Sequence, residues 1–367
     1  MVFFVISGYA LSYKPLRLLR QDNHDAAYRT VASSFFRRHP RLFIPAVALS
    51  APAILITYFG FNGNGEGMPG AAVVTLNPPQ LDTIWQQCLD FVREVMHMCD
   101  IFTGNASNWP YNNVLWTLPM EFRSSLVIFG MLLALSQLQS GMRLLIILCV
   151  VLYSLFYAHW PELLFVGGML LADFQFHFYN RPDICRTESV ERPMCLVKAK
   201  YHTLQTISSV VMFLASLYVL GMPKLELGGG DVPGFKTLGS MIPEIYHATG
   251  AMSHFWPSLA AICLIFSIES APFLQGMFTC SVAQYLGRIS YSLYLTHLII
   301  LHSFGFRAGK FFIGLTGSGN DLNYFAGVSL TSVVYWAVTL WAADLGWRFV
   351  DAQVVRFASW TYGRLCS

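Results

Sequence analysis

Charge is what this chain has least of. Of its 367 residues only 12% are Asp, Glu, Lys or Arg, about half the ~25% usual in soluble domains. That shortage excludes an ordinary water-facing enzyme surface. Apolar residues at 55% and aromatics at 15% point to a membrane protein instead. The eight cysteines include no Cys-x-x-Cys pair and the histidines are scattered, so no metal site is expected. No Gly-rich loop precedes a helix in position to cradle phosphate, and the basic segments lack the interleaved aromatics of a nucleic-acid surface. Nucleic acid is excluded as a partner. The opening MVFFVISGYALSYKPL is no secretory signal either. It has no basic residue ahead of its apolar run, no small-residue cleavage pattern behind it, and arginines where that site would lie.

What the chain does have is apolar length. Eight segments approach the roughly 20 residues a spanning helix needs: 42–60, 114–138, 143–158, 163–178, 203–221, 251–268, 289–306 and 324–345. The fold class expected is all-α, a polytopic transmembrane helical bundle of about eight full spans plus a short N-terminal apolar helix. No tandem repeat or separate soluble domain stands out, so residues 1–367 read as a single domain. Met1 to Tyr13, as a helix, rises roughly 20 Å, short of the ~30 Å hydrocarbon core.

Orientation follows from Lys and Arg on alternate connections. With Lys14 to Arg41 placed in the cytosol, seventeen basic residues fall on that side and five on the other. Asn105-Ala106-Ser107, the only glycosylation sequon, then lies in the outer loop 61–113. Cys88 and Cys99 share that loop, which leaves a disulfide open in an oxidising lumen. If Lys14 is cytosolic, the chain reaches it from outside, so a further span is expected upstream. A shallow hairpin or local thinning of the bilayer is the other explanation. The localisation expected is multi-pass integral membrane, and either plasma membrane or endoplasmic reticulum fits.

Four stretches in order, FFVISGYALS, SFFRRHPRLFIPA, NNVLWTLPMEF and LGRISYSLYLTH, resemble the successive signatures of the membrane-bound acyltransferase 3 family in its fungal form. The resemblance covers essentially the whole chain. It implies about ten spans and transfer of an acyl group, often acetyl from acetyl-CoA, to a hydroxyl of a sugar, lipid or small metabolite. Acyl-CoA enters as a co-substrate rather than a bound cofactor, and the partners implied are acyl-CoA, the hydroxyl acceptor and membrane lipids. The family also has a first span with an arginine and, eleven positions later, a histidine, just ahead of FFVISGY. This sequence lacks that span. On this reading the chain is N-terminally truncated relative to the family, and as given it is expected to be nearly inactive.

Arg37, Arg38 and Arg41 stand at the mouth of the Leu42 segment, spaced to share a helical face. Guanidinium groups bind phosphate in bidentate fashion, which suits the nucleotide end of acyl-CoA. Arginines there also enforce topology and touch anionic lipid. Glu121 is a carboxylate a few residues inside an apolar helix, where charge is costly and usually functional. It serves to orient a base or hold the acceptor hydroxyl, or else it pairs with Arg123 or an arginine elsewhere. Ser290, Tyr294 and His297 fall at i, i+4 and i+7 and form a polar stripe, with His297 ending the SY-x-x-YL-x-H signature. His297 is a base candidate beside the absent first-span histidine, and Asn113 in NNVLW is a substrate-binding candidate. Ser7 and Gly8 read as close helix packing, since no Gly-x-Ser-x-Gly elbow surrounds them. A transporter or exporter of a carboxylate or acylated metabolite, with Glu121 and Arg123 as its site, is the reading from another class. An inactive relative is the third.

Overall fold

The computed structural model describes residues 1–71, 77–100, 109–178, 193–224, 232 and 234–366, apart from the side chains of 178 and 193–205. Asn105 and its sequon lie outside the described residues. Helices and their connections account for the described chain, with no strand among them. In order they are α1 (Val2–Leu19), α2 (His24–Ser50), α3 (Pro52–Tyr58), α4 (Ile84–Cys99), α5 (Thr117–Ala134), α6 (Ser140–Phe156), α7 (Trp160–Phe178) and α8 (Pro193–Leu220). Then come α9 (Lys236–Ser240), α10 (Glu244–Ala248), α11 (Phe255–Ser270), α12 (Pro272–Thr279), α13 (Ser281–Ile300), α14 (Phe306–Thr316), α15 (Asp321–Gly346) and α16 (Ala352–Leu365). These sort into two compact units: residues 1–35 with 123–280, and residues 36–122 with 281–367.

Among the described residues five helical stretches are long and apolar enough to cross a membrane: His24–Tyr58, Asn113–Ala134, Met252–Ser270, Ser281–Thr316 and Asp321–Leu365. Each contains or overlaps one of the expected spans. Two more expected spans correspond to shorter apolar helices, Ser140–Phe156 and Thr206–Leu220. The segment 163–178 lies within α7, whose 19 residues include Glu162 and Asp173 and so fall outside that apolar group.

The first unit is built around α7. Leu163, Leu164, Phe165, Val166, Met169 and Ala172 are all fully buried, on every side of the helix. Helix α1 lies along it, and glycine makes the approach possible. A Cβ on Gly8 would sit 2.0 Å from the Phe165 carbonyl oxygen, and one on Gly168 would sit 2.1 Å from that of Val5. The SGY stretch is therefore a packing surface, as its sequence suggested for Gly8. Helix α1 is also longer than its apolar opening, continuing through Pro15 to Leu19. A turn at residues 20–23 follows, with Asp22 at a positive φ of 53°, and the Asn23 side chain accepts from the Ala26 amide at 3.1 Å to start α2. Much of the expected cytosolic loop 14–41 is thus helical.

The second unit holds the rest of α2 with α3, α4, the first turn of α5, and α13 to α16. Helices α14 and α15 pack closely where a Cβ on Gly327 would meet the Ile313 Cα at 2.9 Å. The expected outer loop carries a helix the span count did not anticipate. In α4 the Thr83 hydroxyl accepts from the Gln86 amide at the N-terminus, while Phe91 packs edge-on against Tyr111 with ring centroids 5.1 Å apart. This helix decides the question of Cys88 and Cys99. Eleven residues along one helix separate them by about 16 Å, beyond the roughly 7 Å a disulfide spans between Cα atoms. Both are free thiols.

Candidate active site

The second unit gathers most of the residues singled out in the sequence. On α2, Arg38 donates from Nη2 to Glu121 Oε1 at 2.7 Å, with side-chain exposures of 17% and 6%. Of the partners open to Glu121, an arginine elsewhere is the one found. Arg123 instead lies 3.9 Å from Glu162. Two positions apart on a helix, Arg123 and Glu121 do not face each other. Arg41 lies within electrostatic reach of Arg37, Arg38, Tyr291 and Asp351. Arg37 Nη1 is 3.4 Å from the Ser359 hydroxyl. The three arginines therefore share one cluster but not one role.

Helix α13 brings the other half. Tyr291 and Tyr294 both feel the charge of Glu121. The Tyr291 hydroxyl donates to the Leu42 carbonyl at 2.5 Å. The Tyr294 hydroxyl donates to the Val114 carbonyl at 2.5 Å, and the Thr117 hydroxyl lies 2.5 Å from the same phenol oxygen. Since the phenol has one proton, Thr117 is the donor in that contact. His297 follows, its ring centroid 6.1 Å from that of Tyr294. Its Nδ1 is 2.8 Å from the Tyr294 carbonyl oxygen. A carbonyl only accepts, so Nδ1 carries the proton and Nε2 presents a lone pair in the neutral ring. That is the tautomer a general base needs.

Ser290 is turned to its own helix. Its hydroxyl donates to the Gly287 carbonyl of its own helix at 2.9 Å. Asn113 lines a cavity of about 20 Å³ together with Asn112, Tyr111, Asn62 and His302, room for about one water. Its neighbour Asn112 is the more deeply set of the two. Asn112 Nδ2 donates to Ser50 Oγ at 3.1 Å and to the Leu295 carbonyl at 2.8 Å, while Oδ1 is buried without a partner. Tyr111 in the same wall has its phenol pushed up by burial, while Gln87 donates to it at 2.6 Å and it donates to Asp90 at 2.9 Å.

Sequence reasoning passed over Asn112, Thr117, Tyr291 and His39. All four lie inside the quoted signatures, so the signal was there in position, but the partners of Asn112, Thr117 and Tyr291 are remote in the chain. His39 stacks on Phe43 at 4.5 Å and meets Phe122 edge-on at 5.3 Å. Among the described residues no group of three or more His, Cys, Asp or Glu is arranged to hold a metal ion.

The second unit thus holds a buried carboxylate clamped by arginine and a half-buried histidine on a neighbouring helix. The chain matches the acyltransferase-domain family over residues 1–345, and it belongs to that family. It is 38% identical to O-acetyltransferase PaAT-1 of Phomopsis amygdali over 99% of this chain and 74% of that protein. It is 25% identical to acyltransferase clz18 of Cochliobolus lunatus over 96% of this chain and 78% of that protein. No solved structure matches it.

Proposed function

We propose that this protein is a multi-pass integral-membrane O-acyltransferase that moves an acyl group, acetyl in the first instance, from acyl-CoA to a hydroxyl of a sugar, lipid or small metabolite. The acetyl preference leans on the name of the relative from Phomopsis amygdali. In this reading α6, α7 and α8 join the five long apolar stretches to make eight crossings. The observation that carries the chemistry is His297, with Nδ1 committed to the Tyr294 carbonyl and Nε2 left to accept.

Of the two bases left open by the sequence, we take His297. The acceptor hydroxyl attacks the thioester carbonyl, a C–O bond forms and the C–S bond breaks. The hydroxyl proton passes to His297 Nε2 and then to the departing CoA thiolate, giving the ester and free CoA. Glu121, fixed by Arg38, offsets the imidazolium charge that develops and holds the acceptor hydroxyl. Arg37 and Arg41 attract the phosphates of the donor, with Arg38 adding to the local field. Ser290, Tyr294 and Asn113 belong to the substrate-binding wall.

The test is thiol release from acetyl-CoA by membranes containing the protein, with a panel of sugars, sterols and simple alcohols as acceptors. His297→Ala lowers release by about 10² to 10⁴-fold at equal insertion, the usual contribution of a general base. Glu121→Gln also lowers it, while keeping its shape. Full turnover by the His297→Ala variant would remove His297 from the chemistry. Absence of release with every acceptor by well-inserted wild type would overturn the acyltransferase reading for this chain.

A further inference from the structure

A cavity of about 980 Å³ lies in the first unit, and none of the residues assigned to the acyl-transfer site lines it. Its walls come from the end of α1, the turn into α2, the connection from α5 to α6, and the end of α7. They are largely polar, and their charge is mainly basic. Arg17, Arg20, Arg143, His24 and His177 line it, and Asp22 is the carboxylate among them.

At its base two guanidinium groups share one carboxylate. Arg143 donates from Nε to Asp173 Oδ2 at 2.8 Å and from Nη2 to Oδ1 at 2.9 Å. Arg20 donates from Nη2 to Oδ1 at 2.8 Å and to the Asp173 backbone carbonyl at 3.0 Å. Arg143 is 3% exposed and Asp173 fully buried. One negative charge among two positive ones leaves the cluster cationic where it opens to the cavity. Arg17, exposed on α1, adds a further positive charge from the wall. His24 Nδ1 is buried there without a hydrogen-bond partner. Surplus charge beside a polar void, with an unsatisfied ring nitrogen, is the environment an anion completes. The volume is at the upper end for small-molecule sites and admits more than a single phosphate.

We infer that this cavity binds a phosphate ester of nucleotide size, held by Arg17 and the Arg20–Arg143 pair. The nucleotide end of a soluble donor and the headgroup of an anionic phospholipid share this chemistry. The cavity does not depend on His297, Glu121 or the arginines of the second unit, so it stands or falls apart from the reading above.

Adenosine 3′,5′-bisphosphate, which carries no thioester, is the soluble probe, titrated onto purified protein in nanodiscs of neutral phosphatidylcholine. The lipid arm repeats the titration in nanodiscs containing phosphatidic acid. Binding of the probe that Arg17→Gln weakens about tenfold or more, that Arg17→Lys partly restores and that Arg356→Gln, at an exposed arginine outside both sites, leaves unchanged supports the cavity with a nucleotide occupant. Protection of the wild type against thermal unfolding by phosphatidic acid, lost in Arg17→Gln, supports it with a lipid occupant. Arg17 is exposed and takes no part in the Arg20–Asp173–Arg143 hydrogen bonds, so these variants leave the buried cluster in place. Absence of both effects overturns the inference. So does probe binding that answers to Arg37→Lys and ignores Arg17→Gln.

Discussion

Among the described residues two carboxylates are buried, one in each unit, and they are set in opposite ways. Asp173 is gripped by two arginines that together use both of its oxygens. That arrangement joins the ends of α1, α6 and α7. Glu121 accepts from the Arg38 guanidinium, and its field reaches two tyrosines on the helix that carries His297. Saturation suits a clamp. A carboxylate whose field reaches the phenols of a helix that also carries a histidine suits a site where charge changes during reaction.

Breaking the clamp gives the largest effect. Asp173→Ala leaves Arg143 buried without its partner, a change that costs about 3 to 5 kcal/mol. Thermal unfolding in detergent should show it as a large fall in transition temperature, while thiol release per folded molecule stays near wild type. Unchanged stability with lost activity would break the comparison, since Asp173 would then belong to the chemistry. A smaller effect is expected at the α1–α7 contact. Gly8→Ala places a methyl 2.0 Å from a backbone oxygen, so the helices must separate at a cost of about 1 to 3 kcal/mol. Gly130→Ala is the control, because nothing lies within 4 Å of a Cβ there, and it should be neutral or mildly stabilising. Equal transition temperatures for the two variants would remove the packing role from Gly8. The smallest effect sharpens the other side. Tyr294→Phe removes the donor to the Val114 carbonyl, and Thr117, 3.3 Å from that oxygen, partly takes over. A loss of about 0.5 to 1.5 kcal/mol is expected, with activity falling more than stability if the phenol lines the substrate wall.

Much of the fold was legible because apolar length is a local property. Five expected spans reappear as long helices, with ends shifted by as much as a few turns where helix continued past the apolar core, as in α2 and α15. Helix α7 was found as a span, but its meaning was not. Its carboxylate at Asp173 is explained only by Arg20 and Arg143, which lie 153 and 30 residues away. Counting Arg143 as a topology signal hid its role. Partner identity is a long-range fact, and a charge tally records sign alone. Glu121 shows the other side of this. Its cost inside an apolar helix marked it from sequence, and an arginine elsewhere was among its expected partners, yet nothing local pointed to Arg38 rather than its neighbours. Helix α4 was missed because its burying residues, Gln87, Phe91 and Met98, include a polar one and are too few for a span.

The glycine contact between α1 and α7 also sets a timetable. Gly8 and Gly168 are about 160 residues apart, and a ribosome adding 5 to 20 residues each second needs roughly 10 to 30 seconds to make that length of chain. Throughout that interval α1 has a smooth, small-residue face and no helix to set against it. Synthesis therefore creates a waiting period in which α1 is open to lipid, to an insertion chaperone or to the wrong helix. Only when α7 emerges does the groove that fits it exist.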